Sequence, residues 1–200
     1  TAESVHWQAV QEAIESDSTD PFEGEILYRA CRTLPESATL FVSNSMPVRD
    51  LDRFGQPRSG ELRVLGNRGA SGIDGITSTA LGAGSVTEDP LVVVTGDLAY
   101  FHDTNGLLAL RRFGLEATIV LVNNDGGGIF HMLPIESFDP PFERFFKTPH
   151  DVDFAGTAAM HDLEFSRIDS MTGFESALES SISADGTQVL EIRTDAAESH

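Results

Sequence analysis

Five short apolar runs leave this chain few folds to choose from. They are "TLFVSNS" (39–45), "LRVLGN" (62–67), "LVVVTGD" (91–97), "TIVLVNN" (118–124) and "QVLEIRT" (188–194). A run such as "LVVV" has no polar alternation, so a strand made from it must be covered on both faces. Between several of the runs lie helical stretches. One is "DTNGLLALRRFG" (103–114), where Leu107, Leu108 and Leu110, with Leu115 beyond, are available to a core face. Strands alternating with helices predict an α/β fold, an open parallel sheet with helices on both faces. Helices are also expected over "VHWQAVQEAIE" (5–15), "EGEILYRACRTL" (23–34) and "MTGFESALESSI" (171–182). The first, closed by the polar run "SDSTDP", reads as a connector within residues 1–22 ahead of one domain over 23–200. The Gly- and Pro-punctuated stretch 126–150 is expected to form a functional loop with a short helix. "DAAESH" is expected as a polar tail.

Charge narrows the partners. Against 32 acidic residues stand 13 basic ones, a formal net charge of -19, and Lys147 is the one lysine. Such a surface repels nucleic acid and anionic lipid. An acid-rich, lysine-poor surface suits a salt-accumulating cell, where ions screen the self-repulsion; an ordinary acidic cytoplasmic protein is the alternative. The sequence holds no apolar run long enough to span a membrane and no secretory signal. Cys31 stands alone, so no disulfide framework is expected and a reducing cytoplasm is the default. An opening at Thr1 without methionine points to a fragment.

Two of the apolar runs end in unusual polar groups, "GD" at 96–97 and "NND" at 123–125. The span between them suits one crossover helix joining neighbouring parallel strands. Asp97 and the asparagine pair are then expected to face each other at the carboxyl edge of the sheet, where open α/β sheets bind ligands. The glycines at 126–128 allow the backbone to fold back and turn a carbonyl to the same point. A carboxylate, an amide oxygen and a carbonyl form half of an octahedral Mg²⁺ shell, the rest being water and phosphate. A helix starting near Asp103 is expected to point its amides at that phosphate. Taken singly, "GD" reads equally as a helix cap and "NNDGGG" as a turn; their spacing after two buried strands favours the site.

Four stretches carry a resemblance: "FVSNSMPVRD" (41–50), "GNRGASGIDGITSTALG" (66–82), "GDLAYFHDTNGL" (96–107) and "VNNDGGGIFHMLP" (122–134). The last two resemble the thiamine-diphosphate signature of a superfamily. All four together resemble the C-terminal diphosphate-binding domain of the 2-succinyl-5-enolpyruvyl-6-hydroxy-3-cyclohexene-1-carboxylate (SEPHCHC) synthase family of menaquinone biosynthesis, in a halophilic archaeon. The likeness runs from about residue 7 to the C-terminus and corresponds to roughly the last third of that family's chain. It implies a thiamine-diphosphate- and Mg²⁺- (or Mn²⁺-) dependent transferase that decarboxylates 2-oxoglutarate and joins the remaining succinyl unit to isochorismate.

Position by position, the resemblance implies Asp97, Asn124 and the Gly126 carbonyl on the metal, with Gly96, Leu98 and Ala99 at the cofactor. It implies Ile73 beneath the cofactor, and Ile129, Phe130 and Leu133 around cofactor and substrate. Ser45, Arg49 and Arg68 would take the carboxylates of the substrates. Both substrates are acids, and so acidic a chain needs fixed guanidinium forks to bind them; surface ion pairing is the alternative for these arginines. The "GASG" run allows close approach of backbone to a ligand, or simply a tight turn. His102 and His131 lie near the site in sequence but read as solvated or core histidines, and Cys31 as a small buried apolar residue. Leu98 stands where the superfamily motif has its last glycine, and Ala99 where a hydroxyl is common.

The pyrimidine-binding and central domains of such an enzyme have no counterpart here. The glutamate that activates the cofactor is therefore expected on a pyrimidine-binding domain of the same enzyme, from another subunit of a homo-oligomer. The alternatives left open are the diphosphate-binding subunit of a two-subunit 2-oxo-acid (sulfopyruvate-like) decarboxylase and a non-catalytic cofactor-binding module.

Overall fold

A computed structural model describes residues 2–15, 22–195 and 197; the "SDSTDP" run and most of the polar tail lie outside them. Helix α1 (Ala2–Glu15) leads into α2 (Glu23–Thr33), β1 (Thr39–Val42), α3 (Met46–Phe54) and β2 (Arg63–Leu65). Then follow α4 (Ile76–Gly84), β3 (Leu91–Gly96), α5 (Asp97–His102), α6 (Leu108–Phe113) and β4 (Thr118–Asn123). After a segment of short turns the chain completes α7 (Phe154–Met160), β5 (Glu164–Ile168), α8 (Met171–Ile182) and β6 (Gln188–Arg193). All strand pairs are parallel, in the order β2-β1-β3-β4-β6-β5. This is the expected α/β sheet.

Alternate strand residues feed two separate cores, which is why these strands read as unbroken apolar runs. Leu40, Val42, Val92, Val94, Val120, Val122, Leu190 and Ile192 pack with α2 and α8 through Leu27, Phe174 and Leu178. On the other face Phe41, Val93, Ile119, Leu121 and Val189 pack with Ile76, Leu81, Tyr100, Leu107, Leu110 and Phe154. Helix α8 covers the expected residues and starts where Ser170 Oγ accepts from Gly173 N at 3.1 Å. Among the described residues, no helix is long and apolar enough to cross a membrane.

Three expectations change. Strand β5 lies outside the five expected ones: "EFSRI" is an edge strand with three of its five residues exposed, so it carries little apolar signal. Its cross-strand pair does the anchoring, with Arg167 Nε 2.8 Å from Oε2 of the buried Glu191 of β6. Leu108 is not core; it is 61% exposed, while Leu107 and Leu110 are buried. A helix also begins at Asp97 itself, ahead of the 3₁₀ turn (Thr104–Leu107) that follows Asp103 and leads into α6. Asp103 follows that helix, and its carboxylate accepts from Ser78 N at 2.7 Å and Ser78 Oγ at 3.0 Å, tying α4 to this segment. The amides of a helix starting there are thus not the ones at the rim.

Helix α3 lies on α2 and carries a buried acid, Asp50, whose Oδ2 has no hydrogen-bond partner. Burial, then the charge of Glu23, pushes its carboxyl up to about 7, with Arg53 and Arg49 opposing.

A raised folded-state pKa means the contribution of Asp50 is fully present below about pH 4 and lost as pH climbs through about 7. Asp50→Asn is therefore expected to gain stability over wild type between about pH 5 and about pH 8 in urea titrations; no change in the difference between the two pH values would contradict this. In the same assay Leu107→Ala should cost about 2–5 kcal/mol and Leu108→Ala no more than about 0.5 kcal/mol.

Candidate functional site

Between β1 and β3 the chain order reverses: β2 lies to one side of β1 and β3 to the other. Loops leaving the carboxyl ends of the strands separate at such a point and open a crevice. Here the crevice is a cavity of about 320 Å³. Ser45 and Asn44 line it after β1, Ile73 before α4, Gly96 at the end of β3 with Asp97, Leu98 and Ala99 following, and Asn124, Gly126, Ile129 and Phe130 after β4. Ten of the residues singled out in the sequence thus share one wall or another of a single pocket.

Asp97 sits where the run "LVVVTGD" places it, at the tip of a buried strand, and is 2% exposed. Leu98 N donates to Oδ1 at 2.6 Å and Gly126 N to Oδ2 at 2.9 Å. His150 Nε2 lies 3.2 Å from Oδ2. Burial raises the Asp97 pKa above the ordinary carboxylate range; the two amides and His150 oppose that shift without cancelling it. His150 Nδ1 accepts from Val152 N at 3.0 Å, while its buried Nε2, close as it is to Asp97, makes no hydrogen bond of good geometry.

The asparagine pair divides. Neighbouring residues at a strand end point to opposite sides. Asn123 turns into the sheet, with Nδ2 2.8 Å from Glu191 Oε1. Asn124 turns to the cavity, giving Nδ2 to Glu23 Oε1 at 2.6 Å, and its Oδ1 is buried with no partner. Asp125, at φ +57, follows in the left-handed region and accepts from the backbone N–H groups of His150 and Asp151 at 3.0 and 2.8 Å. Gly126, at φ +134, is required: a Cβ there would stand 2.1 Å from Lys147 O. Gly127 N donates to that same carbonyl at 2.7 Å, which brings the end of the 126–150 loop back over the site.

That loop is built from 3₁₀ turns at Gly128–Met132 and Pro134–Ser137 and a π turn at Glu143–Lys147, as irregular as its composition suggests.

Arg49, Arg68 and Leu133 do not line the cavity. Arg49 donates to Ser45 O at 2.6 Å, and Arg68 to Asn44 Oδ1 at 2.7 Å, so both guanidiniums are tethered to cavity residues while remaining exposed. Leu133 is 48% exposed. Ser45 holds φ +72, uncommon for a residue with a side chain. His102 is exposed, and His131 is taken up by Glu136 Oε1 at 2.8 Å. Cys31 is buried, its thiol pushed up to about 11 by burial. The sequence signals missed Glu23, Asn44 and His150. Each is remote in the chain from its partner; no local pattern marks Glu23 or His150, and Asn44 falls within the stretch "FVSNSMPVRD" that carries the resemblance.

A divalent cation fits this donor set. The unpartnered Asn124 oxygen and the carboxylate of Asp97 are hard oxygens of the kind such cations prefer. Among the described residues no cluster of three His, Cys, Asp or Glu side chains could hold a metal. A cation here would therefore need carbonyl oxygens and ligands from outside the chain, as a phosphate provides.

Residues 55–192 match the family described as "Thiamine pyrophosphate enzyme, C-terminal TPP binding domain". Over 199 residues the chain is 59% identical to the 2-succinyl-5-enolpyruvyl-6-hydroxy-3-cyclohexene-1-carboxylate synthase of Haloarcula marismortui, covering 100% of this chain and 33% of that protein. It is 58% identical over 198 residues to the synthase of the same name from Halobacterium salinarum, covering 99% and 33%. The chain thus spans about a third of the length of these curated relatives. A thiamine diphosphate-dependent 4-hydroxybenzoylformate decarboxylase of Rhodococcus jostii shares the fold, with a TM-score of 0.70 at 16% identity over 90% of this chain and 34% of that one. The chain belongs to the thiamine pyrophosphate enzymes and matches their C-terminal TPP-binding domain.

Proposed function

We propose that this chain holds the diphosphate and Mg²⁺ of a SEPHCHC synthase, the enzyme that decarboxylates 2-oxoglutarate and joins the succinyl unit to isochorismate. The observation that carries the metal site is the buried, unpartnered Oδ1 of Asn124 in the same cavity as the Asp97 carboxylate. The identity of the whole enzyme rests on the likeness to the two synthases.

Asp97, Asn124 Oδ1 and the carbonyl of Gly126 hold the cation in this reading. Gly126 O already accepts from Gly128 N at 3.0 Å, which leaves one lone pair for a metal. Gly96, Leu98 and Ala99 offer backbone to the diphosphate. Ala99 brings no hydroxyl and the Leu98 amide is taken by Asp97 Oδ1, so the Ala99 amide would carry that contact. Ile73, Ile129 and Phe130 form the apolar wall that keeps water from the reacting centre. Phe130 is held edge-on by Phe146, ring centroids 5.5 Å apart. Ser45, Arg49 and Arg68, with Leu133 beside them, would receive the acid groups of the substrates at the rim. Thiamine diphosphate, when bound, supplies the electron sink for loss of CO₂. The activating glutamate would come from the pyrimidine-binding domain of a second subunit in a homo-oligomer, within the cytoplasm.

Calorimetry with thiamine diphosphate is expected to show binding that requires Mg²⁺, and ATP is expected not to substitute. Asp97→Ala should abolish the Mg²⁺-dependent part; a variant that binds the cofactor as well as wild type would remove the metal site. The chain mixed with cofactor, Mg²⁺ and both substrates should form no product until the remaining domains are added. Product accumulating from the chain alone would show that it carries the whole active site.

A further inference from the structure

Glu23 has no part in the function proposed above, yet it is a buried acid against the cavity of an already acidic protein. It opens α2, is 2% exposed and lines the pocket. Burying a carboxylate is costly unless it is used by strong donors. Its Oε1 accepts from Asn124 Nδ2 at 2.6 Å and from Thr194 Oγ1 at 3.1 Å. A carboxylate acceptor has no proton to give, so only the NH₂ of the Asn124 amide can face it. The amide oxygen is then forced to the other side, where it is buried and unpartnered. Without such a partner the amide is free to rotate by half a turn, and its NH₂ would then face any bound cation.

We infer that Glu23 is a positioning residue that locks the Asn124 amide with its oxygen toward the metal. The inference rests on the reading of Asp97 and Asn124 as metal ligands. Thr194, just after β6, holds Glu23 in turn, so the lock draws together α2, the tip of β4 and the end of β6. None of the three is near another in sequence.

The test is Mn²⁺ binding by the purified chain with thiamine diphosphate, followed by loss of the free-Mn²⁺ electron paramagnetic resonance signal, with folding checked by circular dichroism. Glu23→Leu, which leaves the Asn124 amide no acceptor, should weaken Mn²⁺ binding roughly tenfold to a hundredfold, as loss of an outer hydrogen-bond partner of a metal ligand does; Glu23→Gln keeps an amide acceptor and should weaken it less. Asn124→Asp alone should also weaken it, because two carboxylates then face each other. The double variant Glu23→Gln/Asn124→Asp reverses donor and acceptor, and should recover affinity to within about threefold of wild type. Additive losses in the double variant, the outcome of a merely structural role, would overturn the inference. Should Glu23→Leu not fold, Thr194→Val decides: weakening of about threefold or more supports the lock, and unchanged affinity overturns it. Wild type that binds no Mn²⁺, or Asp97→Ala that binds as well as wild type, sinks the proposed metal site together with this inference. Binding lost in Asp97→Ala but untouched in Glu23→Leu sinks the positioning role alone.

Discussion

The hydrogen bond from Gly126 N to Asp97 Oδ2, 2.9 Å long, joins residues 29 positions apart that lie just beyond the ends of two strands, and the site is assembled around it. It exists because β3 and β4 pair in parallel with Gly96 opposite Val122, which leaves both chains to emerge at the same edge. Adjacent strands are about 4.8 Å apart, so residues leaving neighbouring tips meet without any further folding. A carboxylate buried at that junction would cost several kcal/mol if left alone. Charge-assisted bonds contribute about 1.5–3 kcal/mol each, so the amides of Leu98 and Gly126 offset much of the cost. The raised pKa of Asp97 marks what they leave uncompensated, and a divalent cation is the natural counterpart.

Around this junction the loop at 126–150 closes by close backbone contact. Gly126 and Gly127 allow the carbonyls of Phe146 and Lys147 to approach where a side chain would collide. Asp125 then gathers the amides of His150 and Asp151, which delivers the imidazole to Asp97. The loop is irregular because its work is done by backbone groups, which a regular helix would consume internally.

Charge is distributed with the same logic. A net of -19 surrounds a cavity whose proposed ligand is a phosphate and whose proposed substrates are acids. A cation at Asp97 and the tethered guanidiniums of Arg49 and Arg68 would supply the positive field locally, leaving the remaining surface acidic. The acid-rich surface also matches that of a chain whose relatives come from haloarchaea.

By itself the sequence determined the α/β class, the buried strands and the two polar strand tips, because unbroken β-branched runs and glycine-rich turns are local signals. It also held, in "NRGASGIDG" and its companion stretches, enough resemblance to point to the family. What it could not determine were the contacts made across the sheet. An edge strand such as β5 needs little apolar surface and so leaves little signal, and Leu108 fits a helical spacing yet faces solvent. The resemblance already singled out Asn124; that Asn123 turns instead into the sheet to meet Glu191 depended on the pleat at the end of β4. His150 and Glu23 reached Asp97 and Asn124 only after the loop and α2 had packed, across 53 and 101 residues of chain. Periodicity records which face of an element is buried; the partner a buried polar atom meets is chosen by packing alone.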